Sequence, residues 1–225
     1  MRTLLGTVAA ALLAISVCVS AMAGPPYPLK RNLVFDERSP YALVVFDAEP
    51  QELVPTWNLE LFAFAPDTHT WTYGPLSGWA RFVKIPAQAQ GRRFHAALVK
   101  PAGTYAINNI NTQGYWHACF NGGTRSFALQ AGKVNYIGLI DPNPALEQIF
   151  HELPQETSAA HLFVFDTPQL QLTAPAQRPD WNADLSAFLA NELPQVTAPI
   201  VAAEPVETTF APGKSFIAGK LCQKY

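Results

Sequence analysis

The sequence predicts a mainly β protein: an antiparallel β-sandwich with a small α+β appendage at its C-terminal end. Three observations carry that expectation. Between residues 41 and 140 the chain is a series of short segments rich in β-branched and aromatic residues, the types that fit a pleated, half-buried surface. Turn chemistry separates them, with Pro101-Ala102-Gly103, Asn121-Gly122-Gly123 and Ala131-Gly132 at the junctions. Helical spacing of apolar residues is nearly missing from the same stretch. Short strands with regular punctuation argue for a sandwich or barrel rather than βαβ units.

The first residues set the address. Arg2 precedes an almost wholly apolar run from Leu4 to Val19, and Ala21-Met22-Ala23 stands before Gly24. Charge, short apolar core and A-x-A together read as a cleaved secretory signal over residues 1–23, outside the fold. A transmembrane anchor is the competing reading, but the run is shorter than the ~20 residues a spanning helix needs and no basic flank follows. Lipidation at Cys18 is a third reading, against which Val17 stands where a bacterial lipoprotein signal normally has Gly or Ala. The address expected is therefore periplasmic or secreted, with membrane attachment only if Cys18 is lipidated.

From Gly24 to Pro40, Pro25, Pro26 and Pro28 bar early regular structure. Strands are expected over residues 41–47, 56–65, 80–85, 92–100, 104–110, 115–120, 125–129 and 133–140. Residues 24–140 form the sandwich domain in this reading, and residues 141–225 an α+β extension packed on it. In that extension "NPALEQIFHELP" predicts a short helix over 143–154, with Leu146, Ile149, Phe150 and Leu153 on one face. A strand is expected over 161–167. Pro168, Pro175 and Pro179 then mark an extended segment that cannot sit in a central strand. "DWNADLSAFLANEL" is the best helix in the chain, with Asp180 as N-cap and Trp181, Leu185, Phe188, Leu189 and Leu193 as its apolar stripe.

"LQAGKVNYIGLID" (129–141) tests for phosphate chemistry. A phosphate-binding P-loop needs G-x-x-x-x-G-K-[ST] between a strand and a helix, so that successive N–H groups wrap the phosphates. Here Val134 replaces the hydroxyl residue and a strand follows, so Gly132-Lys133 reads as a bend with Lys133 solvated. Gly213-Lys214-Ser215 fails too, with Thr208 in place of the first glycine. Val134, Tyr136, Gly138 and Ile140 are expected on one face. Gly138 inside a strand suggests a bulge or a close backbone approach, with the similar segment at 212–219 as the candidate neighbour.

Other chemistries are excluded in the same way. The net charge of −2 offers no basic stripe for nucleic acid, and no nucleotide or other cofactor is expected. "GPLSG" (74–78) has its serine out of place for a nucleophile elbow. His151-Glu152 opens like a zincin motif, but the second histidine never arrives. His69, His95, His117 and His161 are scattered singly, so neither metal ligands nor catalytic residues are assigned. His95 and His117 fall on strands expected to be neighbours. Two features remain as candidate sites. Trp71, Tyr73 and Trp79 bracket a Gly/Pro/Ser connection and could present flat faces to a sugar or peptide; core packing is the competing reading, because such residues are highly buried on average. Cys119 and Cys222 alone survive signal cleavage, and two cysteines in an oxidising compartment suggest one disulfide. Strand parity places Cys119 with Tyr115 and His117 on the less apolar face of its strand.

Pro101-Ala102-Gly103-Thr104-Tyr105, then Phe127-Ala128-Leu129-Gln130-Ala131-Gly132-Lys133 and Tyr136-Ile137-Gly138, resemble a pattern common in uncharacterised bacterial envelope and lipoprotein-like β-sandwich domains. That resemblance, over about residues 97–140, implies a secreted or periplasmic sandwich and carries no catalytic residues with it. The function class expected is a non-enzymatic protein that binds a protein or cell-envelope partner, a surface glycan among them. The alternatives are a carbohydrate- or peptide-binding module using the Trp71–Trp79 loop and a hydrolase with a dispersed site.

Overall fold

A computed structural model describes residues 29–53, 56–71, 81–86, 91, 93–99, 102–112, 116–119, 123–152, 163–166 and 171–209. In chain order its strands are β1 (Ala42–Ala48), β2 (Thr56–Ala65), β3 (Thr70–Trp71), β4 (Arg81–Pro86), β5 (Arg93–Val99), β6 (Gly103–Thr112), β7 (Trp116–Cys119), β8 (Thr124–Leu129) and β9 (Val134–Asp141). Helix α1 (Asn143–Glu152) follows, then β10 (Phe163–Asp166), β11 (Gln171–Thr173), a 3-10 turn (Pro175–Gln177) and helix α2 (Trp181–Glu192). The last strands are β12 (Ile200–Ala202) and β13 (Val206–Thr208). The protein is mainly β, as its composition predicts.

The strands form two sheets. In the first, β9 lies beside β1 and β1 beside β5, while β11 and β12 share the far edge of β9. In the second, β6 pairs with β2 on one side and with β7 and β8 on the other. Strands β3 and β4 flank β2, β10 flanks β7, and β13 flanks β8. Residues after 141 therefore contribute strands to both sheets.

Pairing is not antiparallel throughout, and this corrects the sequence expectation. β1 runs parallel to β9, β12 parallel to β9, and β10 parallel to β7. The physical reason lies in β1, which is buried at every position from Ala42 to Ala48. A strand covered on both faces reads as a continuous apolar run, which is the habit of parallel strands. On one side, Val44 and Phe46 join a core that also takes Leu59 and Leu61 from β2 and Ile107 from β6. Trp57 lies wholly within that core, and its indole N–H has no hydrogen-bond partner among the described residues. On the other side, Leu43 and Val45 join a second core with Leu185, Leu189 and Leu193. The stripe predicted for 180–193 is thus the face that α2 buries, with Trp181 and Phe188 packed half-buried at its margin. Asp180 occupies the N-cap position but its side chain makes no capping hydrogen bond.

β9 carries the irregularity that Gly138 announces. Its register against β1 shifts between Val45–Tyr136 and Asp47–Leu139, so one extra β9 residue is accommodated there. Gly138 has φ +115°, and a Cβ on it would stand 2.4 Å from the carbonyl oxygen of Thr173. Both readings of this glycine therefore hold, but its neighbour is β11; residues 212–219 lie outside the described residues. The extra residue also changes the expected parity. Val134 and Tyr136 belong to the α2-side core, whereas Ile137 and Ile140 belong to the inter-sheet core. At the bulge β9 changes outer partner, from β12 along Val134–Tyr136 to β11 along Leu139–Asp141.

The Gly132-Lys133 bend is closed by internal hydrogen bonds. Gly132 has φ +63°, and a Cβ there would fall 2.1 Å from the Glu37 carbonyl oxygen. Its N–H donates to Tyr41 at 2.8 Å, and the Val134 N–H donates to Pro199 at 2.9 Å. Buried Asn135 accepts from the Gln130 N–H at 2.8 Å and donates to the Gln130 and Lys133 carbonyls at 3.0 and 2.9 Å. A phosphate cradle needs such N–H groups unspent, and here those of Gln130, Gly132 and Val134 already have acceptors.

Candidate functional site

Where β1 nears its end, the helix-side core stops being apolar. Asp47 is 2% exposed and stands directly opposite Phe94 of β5 in the register of the first sheet. The Tyr136 hydroxyl donates to Asp47 Oδ1 at 2.6 Å. Arg178, which follows the 3-10 turn, places Nη1 2.5 Å from Asp47 Oδ2 and donates from the same nitrogen to the Tyr136 hydroxyl. Three segments distant in sequence thus meet: the end of β1, the residue before the β9 bulge, and the connection from β11 to α2.

A row of rings surrounds this cluster. Tyr136 stacks on Trp181, with centroids 4.6 Å apart and planes 12° from parallel. Phe94 lies 6.2 Å from Tyr136 and 5.3 Å from Phe188. Trp181 and Phe188 are seven residues apart, two helical turns, and so emerge on the same side of α2. Phe94, Trp181 and Phe188 are half-buried, whereas Tyr136 is wholly enclosed.

The electrostatics follow from the enclosure. Burial pushes the Tyr136 phenol pKa well above its ordinary value, and acceptance of its proton by Asp47 pushes it further. Burial works against the Arg178 charge, but attraction to Asp47 and the bonds to Asp47 and Tyr136 outweigh it, so its pKa is raised. Each Asp47 oxygen has a donor, and the phenol both donates and accepts. Chemically this is a closed knot. Both Asp47 oxygens, the Tyr136 hydroxyl and Arg178 Nη1 are engaged with one another, and the wholly buried phenol is held protonated at any ordinary pH.

The residues singled out from sequence lie elsewhere. Trp71 ends β3, opposite Phe64 of β2, while Tyr73 and Trp79 lie outside the described residues. Cys119 ends β7, opposite Asn109 of β6, and Cys222 lies outside the described residues. His95 and His117 fall in different sheets, so the strands expected to be neighbours are not. His95 is buried beside Phe46, with ring centroids 5.5 Å apart. His69 has φ 54° and sets its Nδ1 3.0 Å from the Thr209 carbonyl oxygen, tying the β2–β3 turn to the segment after β13. Among the described residues no group of three His, Cys, Asp or Glu side chains is placed to hold a metal ion. Also among them, no helix is long and apolar enough to cross a membrane.

Sequence reasoning did not single out Asp47 or Arg178. The available signal was Asp47 itself, an acid closing the apolar run Tyr41–Phe46 in a strand buried on both faces. A buried acid calls for a partner, but nothing in the sequence identifies Arg178 among the Pro-rich residues 174–179 as that partner. No protein-family model, curated protein or solved structure matches the chain.

Proposed function

We propose that this is an exported β-sandwich protein that acts by binding a protein or other cell-envelope partner rather than by catalysis. The observation that supports this reading is the closed state of the Asp47–Tyr136–Arg178 cluster. It joins three ionisable side chains from distant segments, and their hydrogen bonds run to one another. A catalytic acid or base instead needs reach to a reacting atom. Recognition then falls to loops and exposed faces, where such scaffolds place it. The test pairs two measurements on the mature chain. Photo-crosslinkers placed at exposed positions should join it to one discrete envelope component in cells, with no turnover of esterase, glycosidase or peptidase substrates in vitro. Turnover that disappears on replacing a single polar residue would establish the hydrolase reading instead.

The second reading, a carbohydrate- or peptide-binding module, is favoured by a detail of register. The chain leaves the edge of β2 at Trp71, opposite Phe64, and rejoins it at Arg81, opposite Leu61. Trp71 and Arg81, which bracket the sequence holding Tyr73 and Trp79, thus both pair with the last five residues of β2. On this reading Trp71→Ala and Trp79→Ala proteins stay folded and lose fluorescence quenching by oligosaccharide or peptide. Unfolding of both would return these residues to a packing role.

Export also carries the Cys119–Cys222 disulfide. β7 and β8 lie end to end along β6, and β13 holds Thr208 beside Thr124 at the start of β8. The chain therefore continues past Thr209 from the neighbourhood of the β7 terminus. Two alkylatable thiols in unreduced, denatured mature protein would rule the bridge out.

A further inference from the structure

We infer that the Asp47–Tyr136–Arg178 cluster fixes the longitudinal position of α2 on the first sheet, and with it the place of Trp181 and Phe188 beside Phe94. The argument begins with what apolar packing leaves undetermined. Leu185, Leu189 and Leu193 recur at four-residue intervals and are all buried. Sliding α2 by one turn, about 5.4 Å, sets leucine where leucine stood. The sheet beneath presents Leu43, Val45, Ala96, Leu98 and Val134, which carry no directional group. Burial is non-directional and scales with area, so over this ladder the two positions differ little.

Only the N-terminal end of the ladder breaks the repeat. Trp181 sits there, half-buried, and what it meets is the face of Tyr136. The orientation of that ring is set by its hydroxyl, which donates to Asp47 and accepts from Arg178. Arg178 is three residues ahead of Trp181 and bonds the sheet through a guanidinium whose donors are fixed in direction. Hydrogen bonds lapse over a few tenths of an ångström, so a one-turn slide that carries Arg178 along breaks both of its bonds and unstacks Trp181 from Tyr136, while the Tyr136–Asp47 bond stays within the sheet. A buried ion pair is weak evidence for stability, and its best-attested use is to specify register. The competing constraints lie in the backbone: residues 174–180 tether α2 covalently to β11, and the hydrogen-bonded β-bridge between Phe35 and Val196 holds its far end.

The experiment removes the polar contacts while leaving both tethers intact. In mature protein carrying Asp47→Leu, Tyr136→Phe and Arg178→Met together, the sheets should stay folded, with a melting midpoint at or above the parent's. The Trp181 indole resonance should split or broaden, its contacts with ring 136 should weaken, and amide protection of α2 should fall at least tenfold relative to β1. Should the triple variant not fold, Asp47→Leu alone serves, because Arg178 stands at the surface margin and can turn its head to water. A single sharp Trp181 resonance with undiminished contacts to ring 136, in whichever variant folds, would overturn the inference and assign the position of α2 to its tethers.

Discussion

The two faces of β1 are covered in different ways. The face bearing Val44 and Phe46 meets side chains of the second sheet, and the face bearing Val45 and Asp47 meets one helix and the segments that flank it. In the first interface every contributing strand already has its register fixed by a backbone ladder, so apolar shape suffices to lock the layers. The helix has no ladder to its neighbours. Its interface carries the Asp47–Arg178 ion pair, the Tyr136 phenol bonded to both, and the Tyr136–Trp181 ring stack. The contrast teaches that this ion pair stands where no backbone ladder fixes the register of the covering element.

That contrast can be broken from either side. Phe46→Ala should be the most damaging change, costing about 3–5 kcal/mol of unfolding free energy in urea titration, because a wholly buried ring leaves a cavity between the sheets. Arg178→Ala should cost about 3 kcal/mol, since it strands Asp47 in the interior. Replacing both Asp47 and Arg178 by apolar residues should recover most of that loss, and a double-mutant cycle measures the coupling. Gly138→Ala should cost roughly 2 kcal/mol, from a positive φ and a collision with the Thr173 carbonyl. Its signature should be lost amide protection in β11 ahead of β12.

The most gradual effect is acid sensitivity on the inter-sheet face. Burial lowers the His95 pKa to about 4, with the Arg93 charge adding to the shift. An unfolded histidine protonates near its ordinary value of 6.5. As pH falls through that window the unfolded chain takes up the proton first, so stability present above about pH 6.5 drains away toward pH 4. On the order of 2 kcal/mol should be lost by about pH 5. His95→Gln should flatten this slope, and an unchanged slope would shift the acid response to other groups.

Much of the fold is legible in the sequence because side-chain periodicity reports burial directly. The alternation of residues 56–65 gives β2 its correct bounds, and the stripe from Trp181 to Leu193 gives α2 its buried face. Pairing is less legible, since β1 and β9 are joined by contacts across some ninety intervening positions that leave no local mark. β3 and β11 are two and three residues long, too short to show a period. The cluster at Asp47 was illegible for the same reason: its meaning lies in the meeting of three distant segments. Gly138 is the exception, because a glycine inside a strand marks its own backbone requirement.

The divided outer edge of β9 has a consequence for synthesis. Until Ala202 has emerged, β9 lacks the neighbours that complete its outer hydrogen bonds, and until α2 arrives the face around Val45 is uncovered. A nascent or truncated chain ending near residue 141 would carry a bare strand edge beside an apolar surface, the combination most prone to self-association. The last third of the chain therefore closes the edge and the face that the first two thirds leave open.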